Sequence, residues 1–429
     1  MAEHKHPVAV GAFDGASDGV SDGASDGVSA RSSAGASRWR ARLRRTPWWA
    51  LVALIWAASR LVTTTLVLLL ANVQGANPWT GASPGYAEFA NMWDARWYNI
   101  VAVAGYPSTL PLTAGGQVAE NAWAFMPGYP GVVRLLMMLS GQPWAPVAVF
   151  VSLAASLGAA LLFYRLMRTV QEHSVALFAV VLFCVAPLSP VLQFGYAESM
   201  YLFLLTLALL LLLERRYVLL FPVIAVMALT RPSGLAFALA LGLHVVHRWL
   251  TRTSDPFPGR ERMLAASVAV FSGISGLAWP AIAWIATGSI TAYTDTELAW
   301  RSAYIGYQEL IPFTAWFQGG VWWLGMPLGI IVVVVLILAF GLTLFLPAVR
   351  RLGVDLRFWL ASYGLYLLAV FFPQSSTFRL LMPMFPLLGA VAQPRSGVYR
   401  VGLVLLFIAG QWGWLLLCWG VDGADWTPP

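Results

Sequence analysis

Charge is what this sequence has least of. Only 10% of its 429 residues are Asp, Glu, Lys or Arg, while 59% are apolar; soluble domains run at about 25% charged and roughly 45–50% apolar. So few charges cannot cover the surface of a water-soluble fold of this length, which excludes a soluble enzyme, and the apolar content excludes a disordered chain. Cysteine is nearly absent. Cys184 and Cys418 both sit in apolar stretches, where a thiol behaves as a small hydrophobe, so a disulfide scaffold is excluded and no redox compartment follows. Lysine is scarcer still: Lys5 is the single one, so the formal net charge of +7 is an arginine charge. What remains is a polytopic membrane protein.

The chain opens with a tail, residues 1–37, in which DGASDGVSDGASDGVS (14–29) repeats an S-D-G-A/V tetrad. It holds no apolar residue large enough to found a core, and the glycine-rich nonapeptide of calcium-binding β-helices is absent, so disorder is expected. It also lacks the apolar run of a cleavable signal peptide. Residues 38–47 contain RWRARLRR, five arginines that read as a cytoplasmic anchor. A helix needs roughly twenty apolar residues to cross a bilayer, where its backbone must be satisfied internally. Long runs fit at 48–71, 145–167, 174–193, 197–214, 263–287, 321–347, 355–373 and 398–419, and shorter ones at 217–230, 233–249 and 378–393. The expectation is an all-α transmembrane bundle over 48–419 with about eleven spans, followed by a short extracytoplasmic tail at 420–429.

Arginine decides the sidedness. With the N-terminus inside, and 124–140 lying on the outer face as a re-entrant or interfacial helix, 13 of the 19 basic residues beyond the tail fall on the cytoplasmic side. If 124–140 crossed, every later loop would invert. Most of the positive charge is thereby a topology marker, and no nucleic-acid partner is invoked. The charges left over gather on the outer face. Asp94, Arg96 and Glu120 lie in a first outer loop (72–123), Glu198 begins the fourth span, and Arg231 sits at a break between two short spans. Asp295, Glu297, Arg301 and Glu309 lie in a second outer loop (288–320), and Arg379 opens the tenth span. Ionisable groups near membrane depth are costly and tend to mark a site. Both signs together suit an acidic catalyst beside a cationic cradle for an anion.

The first outer loop holds NMWDARWYNIVAVAGYP (91–107), in which Trp93, Trp97 and Tyr98 flank Asp94. Aromatic faces pack against sugar C–H surfaces and also anchor loops at headgroup level. An Asp among them can serve as general base towards a hydroxyl, or can simply pair with Arg96. Asp94 in W-D-x-x-W-Y with a downstream G-Y-P resembles the first luminal loop of the phosphatidylinositol-glycan class V mannosyltransferases, membrane glycosyltransferases of the GT-C class, in their bacterial branch. Further stretches agree in the family's order: NAWAFMPGYP (121–130), FGYAESMYLF (194–203), ALTRPSG (228–234) and FRLLMPMFPLL (378–388).

The resemblance spans about 48–390 and implies that Asp94 is the catalytic acidic residue of the first outer loop. It further implies a polyprenyl-phosphate sugar donor, mannose in this family, and an active site on the extracytoplasmic face of the plasma membrane. Such a donor needs fixed cations: Arg231 and Arg379 first, then Arg301 and Arg96, since the guanidinium fork matches phosphate oxygens. Each could instead snorkel from a helix end. Glu198 either binds sugar hydroxyls or favours the dipole of its helix. The implied step is one inverting displacement with Asp94 as base and arginines on the leaving phosphate. It requires no metal cofactor, although one held by Asp94 with Glu120 or Glu198 stays open. The acceptor, a glycolipid or a glycan, is unspecified. Rival readings are a transporter or flippase of a lipid-linked substrate, a non-catalytic membrane scaffold or channel subunit, and a transferase for another polyprenyl-linked sugar.

Overall fold

A computed structural model describes residues 46–420. The tail (1–37), most of the basic anchor (38–45) and residues 421–429 of the C-terminal tail lie outside the described residues. The chain divides into two units, 1–51 and 52–429. Of the first, only the opening of one helix is described.

The fold is all-α, with no strand among the described residues. From the N-terminus, α1 (Trp48–Val73) leads through the first long loop, which contains α2 (Asp94–Ala104) and α3 (Gly128–Ser140). Then come α4 (Trp144–Arg168), α5 (His173–Val185), α6 (Glu198–Leu213), α7 (Tyr217–Ala228), α8 (Gly234–Leu250) and α9 (Gly259–Thr287). The second loop holds α10 (Ala292–Ala299), and α11 (Ala315–Leu324), α12 (Leu328–Thr343), α13 (Val354–Val370) and α14 (Gly397–Cys418) complete the chain. Helices α1, α4, α9 and α14 are long and apolar enough to cross a membrane, and α5, α6, α7, α8 and α12 are apolar but shorter. This is a membrane protein.

Three of the expected spans are not single helices. The 174–193 stretch yields α5, which stops at Val185 ahead of Pro187, and a 3-10 turn at Ser189–Gln193. The 321–347 stretch is cut into α11 and α12 at Gly325–Pro327, and 378–393 is broken around Pro383 and Pro386 into short helical pieces of three to five residues. Proline lacks an N–H and clashes with the preceding turn, and a broken backbone survives at membrane depth only where protein groups satisfy it. They do so here. Arg60, buried in α1, donates to the carbonyls of Cys184 (2.6 Å) and Ser189 (2.8 Å), and Gln411 of α14 donates to Val185 (2.8 Å). On α13, the Trp359 indole donates to the Pro383 carbonyl (2.9 Å) and the Tyr363 hydroxyl to that of Leu380 (2.8 Å).

The core is built around α6, which is buried on all sides, as an evenly apolar helix must be. Helix α12 is the opposite case: only Gly329 and Val333 are buried, and most of its other apolar side chains are exposed. Thirteen residues make α3 only about 20 Å long, short of a roughly 30 Å hydrocarbon core. Its first N–H, on Gly128, bonds the Leu229 carbonyl (2.7 Å), and after it the chain enters α4, where the Trp144 indole reaches Asn91 (2.9 Å). Both ends of α3 therefore lie at the Asp94 end of the bundle, and it does not traverse it. The ion pairs separate the same way. Arg165–Glu214, Arg215–Asp255, Arg248–Glu261 and Arg395–Glu172, with the hydrogen bond between His244 and Asp355, gather residues expected at one end, while Arg231, Arg379, Glu198 and Asp94 pair among themselves.

Candidate active site

Asp94 is the first residue of α2, where the helix dipole favours a carboxylate. Trp93, just before it, has φ +58° and ψ −125°, a conformation that L-residues rarely adopt. It is held there by burial and by its indole, which donates to the Cys418 carbonyl (2.9 Å). Two glycines then bring distant segments together. A Cβ on Gly195 would lie 2.3 Å from Asn91 Oδ1, so with Asn91 in place a glycine lets the loop that opens α6 meet the loop that opens α2; the Gly195 N–H seals the contact on the Ala90 carbonyl (3.0 Å). A Cβ on Gly128 would meet the Thr230 hydroxyl at 2.6 Å and the Leu229 carbonyl at 2.7 Å, which sets the start of α3 against the break that carries Arg231.

Four charged side chains converge as a result. Arg379 Nη1 donates to Asp94 Oδ2 and lies 3.4 Å from Glu198 Oε1. The same Glu198 oxygen accepts from Arg231 Nη2 at 2.7 Å. Two carboxylates thus face two guanidiniums and the cluster closes on zero net charge. The Arg379 guanidinium also stands over the Tyr196 ring, 5.4 Å from its centre. Two buried atoms in the cluster have no hydrogen-bond partner within the protein: Glu198 Oε2, an acceptor, and Arg379 Nε, a donor. Buried polar groups of this kind are costly and seek partners.

The other sequence candidates are placed differently. Arg96 is exposed and stacks over Trp79 (4.7 Å to the ring centre), so Asp94 pairs with Arg379 and not with its near neighbour. Tyr98 is 1% exposed and packs edge-on against Phe125 and Tyr129; it and Trp93 are core residues, not open faces for a sugar. Of the three aromatics only Trp97 keeps partial exposure, stacked on Phe125 (5.6 Å) and capped edgewise by Trp300 (5.6 Å). Neither Arg231 nor Arg379 snorkels: both are drawn inward by carboxylates. Arg301 lies outside the cluster and donates to the Val370 carbonyl, beside a surface cleft lined with Gln308, Glu309, Thr314 and Gln318. Glu120 is exposed. Among the described residues no group of three or more His, Cys, Asp or Glu side chains is arranged to hold a metal ion.

Glu297 on α10 is the residue that the motifs did not single out. It is half-buried, with the Tyr293 hydroxyl in hydrogen-bonding reach, and it faces Arg301, Arg231 and Asp94. Burial pushes its carboxyl above the usual carboxylate range, with Arg301 pulling the other way. Its only sequence signal was being a charge in an otherwise apolar chain.

No family model matches the sequence, and no curated protein matches it. Among solved structures, the chain is similar to the oligosaccharyltransferase of Archaeoglobus fulgidus, crystallised while tethered by a disulfide bond to an acceptor peptide containing the NVT sequon. The identity is 12% and the TM-score 0.37, over 84% of this chain and 53% of that one. The chain thus spans about half the length of that enzyme. A likeness at this level assigns no activity.

Proposed function

We propose that the chain is an integral-membrane glycosyltransferase that moves a hexose, mannose by the motif resemblance, from a polyprenyl-phosphate donor to an acceptor hydroxyl on the extracytoplasmic face. Its support is one observation: the charged residues of four separate motifs, Asp94, Glu198, Arg231 and Arg379, meet in a single cluster. A fifth motif supplies Phe125, packed on Trp97, and Gly128, packed on Leu229. An orphan acceptor beside an orphan donor is also the complement of a sugar phosphate, whose hydroxyls donate and whose phosphate oxygens accept.

In the proposed step the acceptor oxygen bonds to the anomeric carbon from the face opposite the phosphate. The bond from that carbon to the phosphate oxygen breaks, and its electron pair leaves with the polyprenyl phosphate. The acceptor's proton passes to the Asp94 carboxylate. Arg379 and Arg231 meet the charge that grows on the leaving phosphate, where fixed cations act most strongly on the barrier.

Membranes containing the chain, supplied with labelled polyprenyl-phosphate mannose and envelope glycolipids, should transfer the sugar. Asp94→Asn should lower the rate by about a hundredfold or more, the usual share of a general base. Transfer by the Asn variant at the parental rate would remove Asp94 from the chemistry. Donors carrying arabinose or glucose in parallel reactions identify the sugar, and movement of intact donor across a vesicle membrane without transfer would favour a flippase.

A further inference from the structure

We propose that the donor phosphate and Asp94 compete for Arg379, so that the base is released only once the donor is seated. This rests on the transferase reading above.

The cluster as it stands has no cation to spare. Arg379 Nη1 faces two carboxylate oxygens, one of Asp94 and one of Glu198, while Arg231 is committed to that same Glu198 oxygen. A glycosyl prenyl phosphate is a diester with one negative charge, and it gains a second when its bond to the sugar breaks. Adding that charge to a neutral, desolvated cluster is unfavourable unless a guanidinium turns towards it. Arg379 is the one prepared to turn, because its buried Nε has no partner within the protein.

Accessibility identifies which carboxylate gives way. The Glu198 side chain is 3% exposed and serves both arginines, whereas that of Asp94 is 18% exposed and binds Arg379 alone. Asp94 also opens a loop helix, while Glu198 opens the most deeply buried helix of the bundle. Glu198 is therefore a positioning residue, a fixed anchor for both guanidiniums, and Asp94 is the exchangeable partner. Around Asp94 stand Tyr98, Tyr196, Glu198, Glu297 and Arg231 besides Arg379, so among these Arg231 is the only other cation that could take it up, and Glu198 already holds Arg231. While Asp94 Oδ2 accepts from Arg379, that oxygen and the orientation of the carboxylate are committed to the guanidinium. Once the phosphate takes the guanidinium, both carboxylate oxygens are free to turn to an acceptor hydroxyl. The order of binding follows: donor first, then a competent base.

The test compares farnesyl phosphate with uncharged farnesol, binding each to the full-length chain in nanodiscs. Asp94→Asn and, as a second variant too short to reach Arg379, Asp94→Ser should bind farnesyl phosphate about tenfold or more tighter than the parent, having lost a charged competitor. Farnesol affinity should not change, and its binding reports that each variant is folded. Arg379→Ala should weaken farnesyl phosphate by a similar factor. If the parent binds farnesyl phosphate but both Asp94 variants bind it equally or more weakly, the exchange is wrong and the transferase reading stands. If neither parent nor variants bind it and no sugar is transferred, the transferase reading itself fails.

Discussion

Replacing Glu198 by glutamine keeps the shape of the side chain and removes its charge, leaving Arg379 with Asp94 and Arg231 without its carboxylate. Glu198 Oε1 accepts from Arg231 at 2.7 Å and stands 3.4 Å from Arg379 Nη1. A hydrogen bond between charged groups is worth about 1.5–3 kcal/mol, and the longer contact counts for less because 3.4 Å lies past the usual range. Breaking a buried pair by removing one partner costs about 3–5 kcal/mol, since the other charge stays behind. The expected loss for Glu198→Gln is therefore about 2–4 kcal/mol, most of it from Arg231, because Arg379 keeps Asp94. The assay is a double-mutant cycle with Arg231→Met, read by unfolding in mild detergent. Removing both charges should cost less than the sum of the single losses by about 1.5 kcal/mol or more. Additive losses would mean that the two side chains do not stabilise one another, and the cluster would lose its central anchor.

Three further outcomes are expected. Gly195→Ala should cost about 1–3 kcal/mol by overpacking and should lower transfer further by pushing Asp94 away from Glu198; Asn91→Ala in the same chain should restore part of both, because Asn91 Oδ1 is the atom in the way. Trp359→Phe should destabilise by about 1–3 kcal/mol in an unfolding assay, since it leaves the Pro383 carbonyl buried without its donor. Glu297→Gln tests the effect of burial through pH. A carboxyl whose folded pKa is raised binds its proton more tightly in the folded state, so its contribution to stability falls as pH rises from about 4.3, the unfolded value, through the folded one. The variant should thus melt higher than the parent at pH 8, with the difference closing towards pH 4; a constant difference would mean that desolvation does not govern this group.

Much of this was legible from the chain alone, and for a definable reason. In a sequence with so few charges, each acidic or basic residue outside the arginine-rich loops is conspicuous, and Asp94, Glu198, Arg231 and Arg379 were all visible in that way. Their pairing was not. Asp94 and Arg379 are 285 positions apart, and the nearer candidate, Arg96, was the natural guess. The helix breaks at Pro187, Pro383 and Pro386 were written in the sequence, but a hydropathy window averages over a proline, so continuous spans were expected at 174–193 and 378–393. Arg60 was hidden by the same averaging. The aromatics around Asp94 carried the right residue types for a sugar platform, yet Tyr98 and Trp93 turned out to be core.

Transfer free energies and hydrophobic periodicity act residue by residue along the chain, so the sequence by itself determined that this is an all-helical membrane protein and which rare charges needed an explanation. Whether a carboxylate meets one arginine or another, and whether a ring faces a ligand or a neighbour, depends on distances between segments hundreds of residues apart. Those distances are set by contacts that composition cannot register, such as Gly195 against Asn91 and Gly128 against Leu229. Only the tertiary structure decided that four charges from four motifs share one place, and that Glu198 stands between the two arginines.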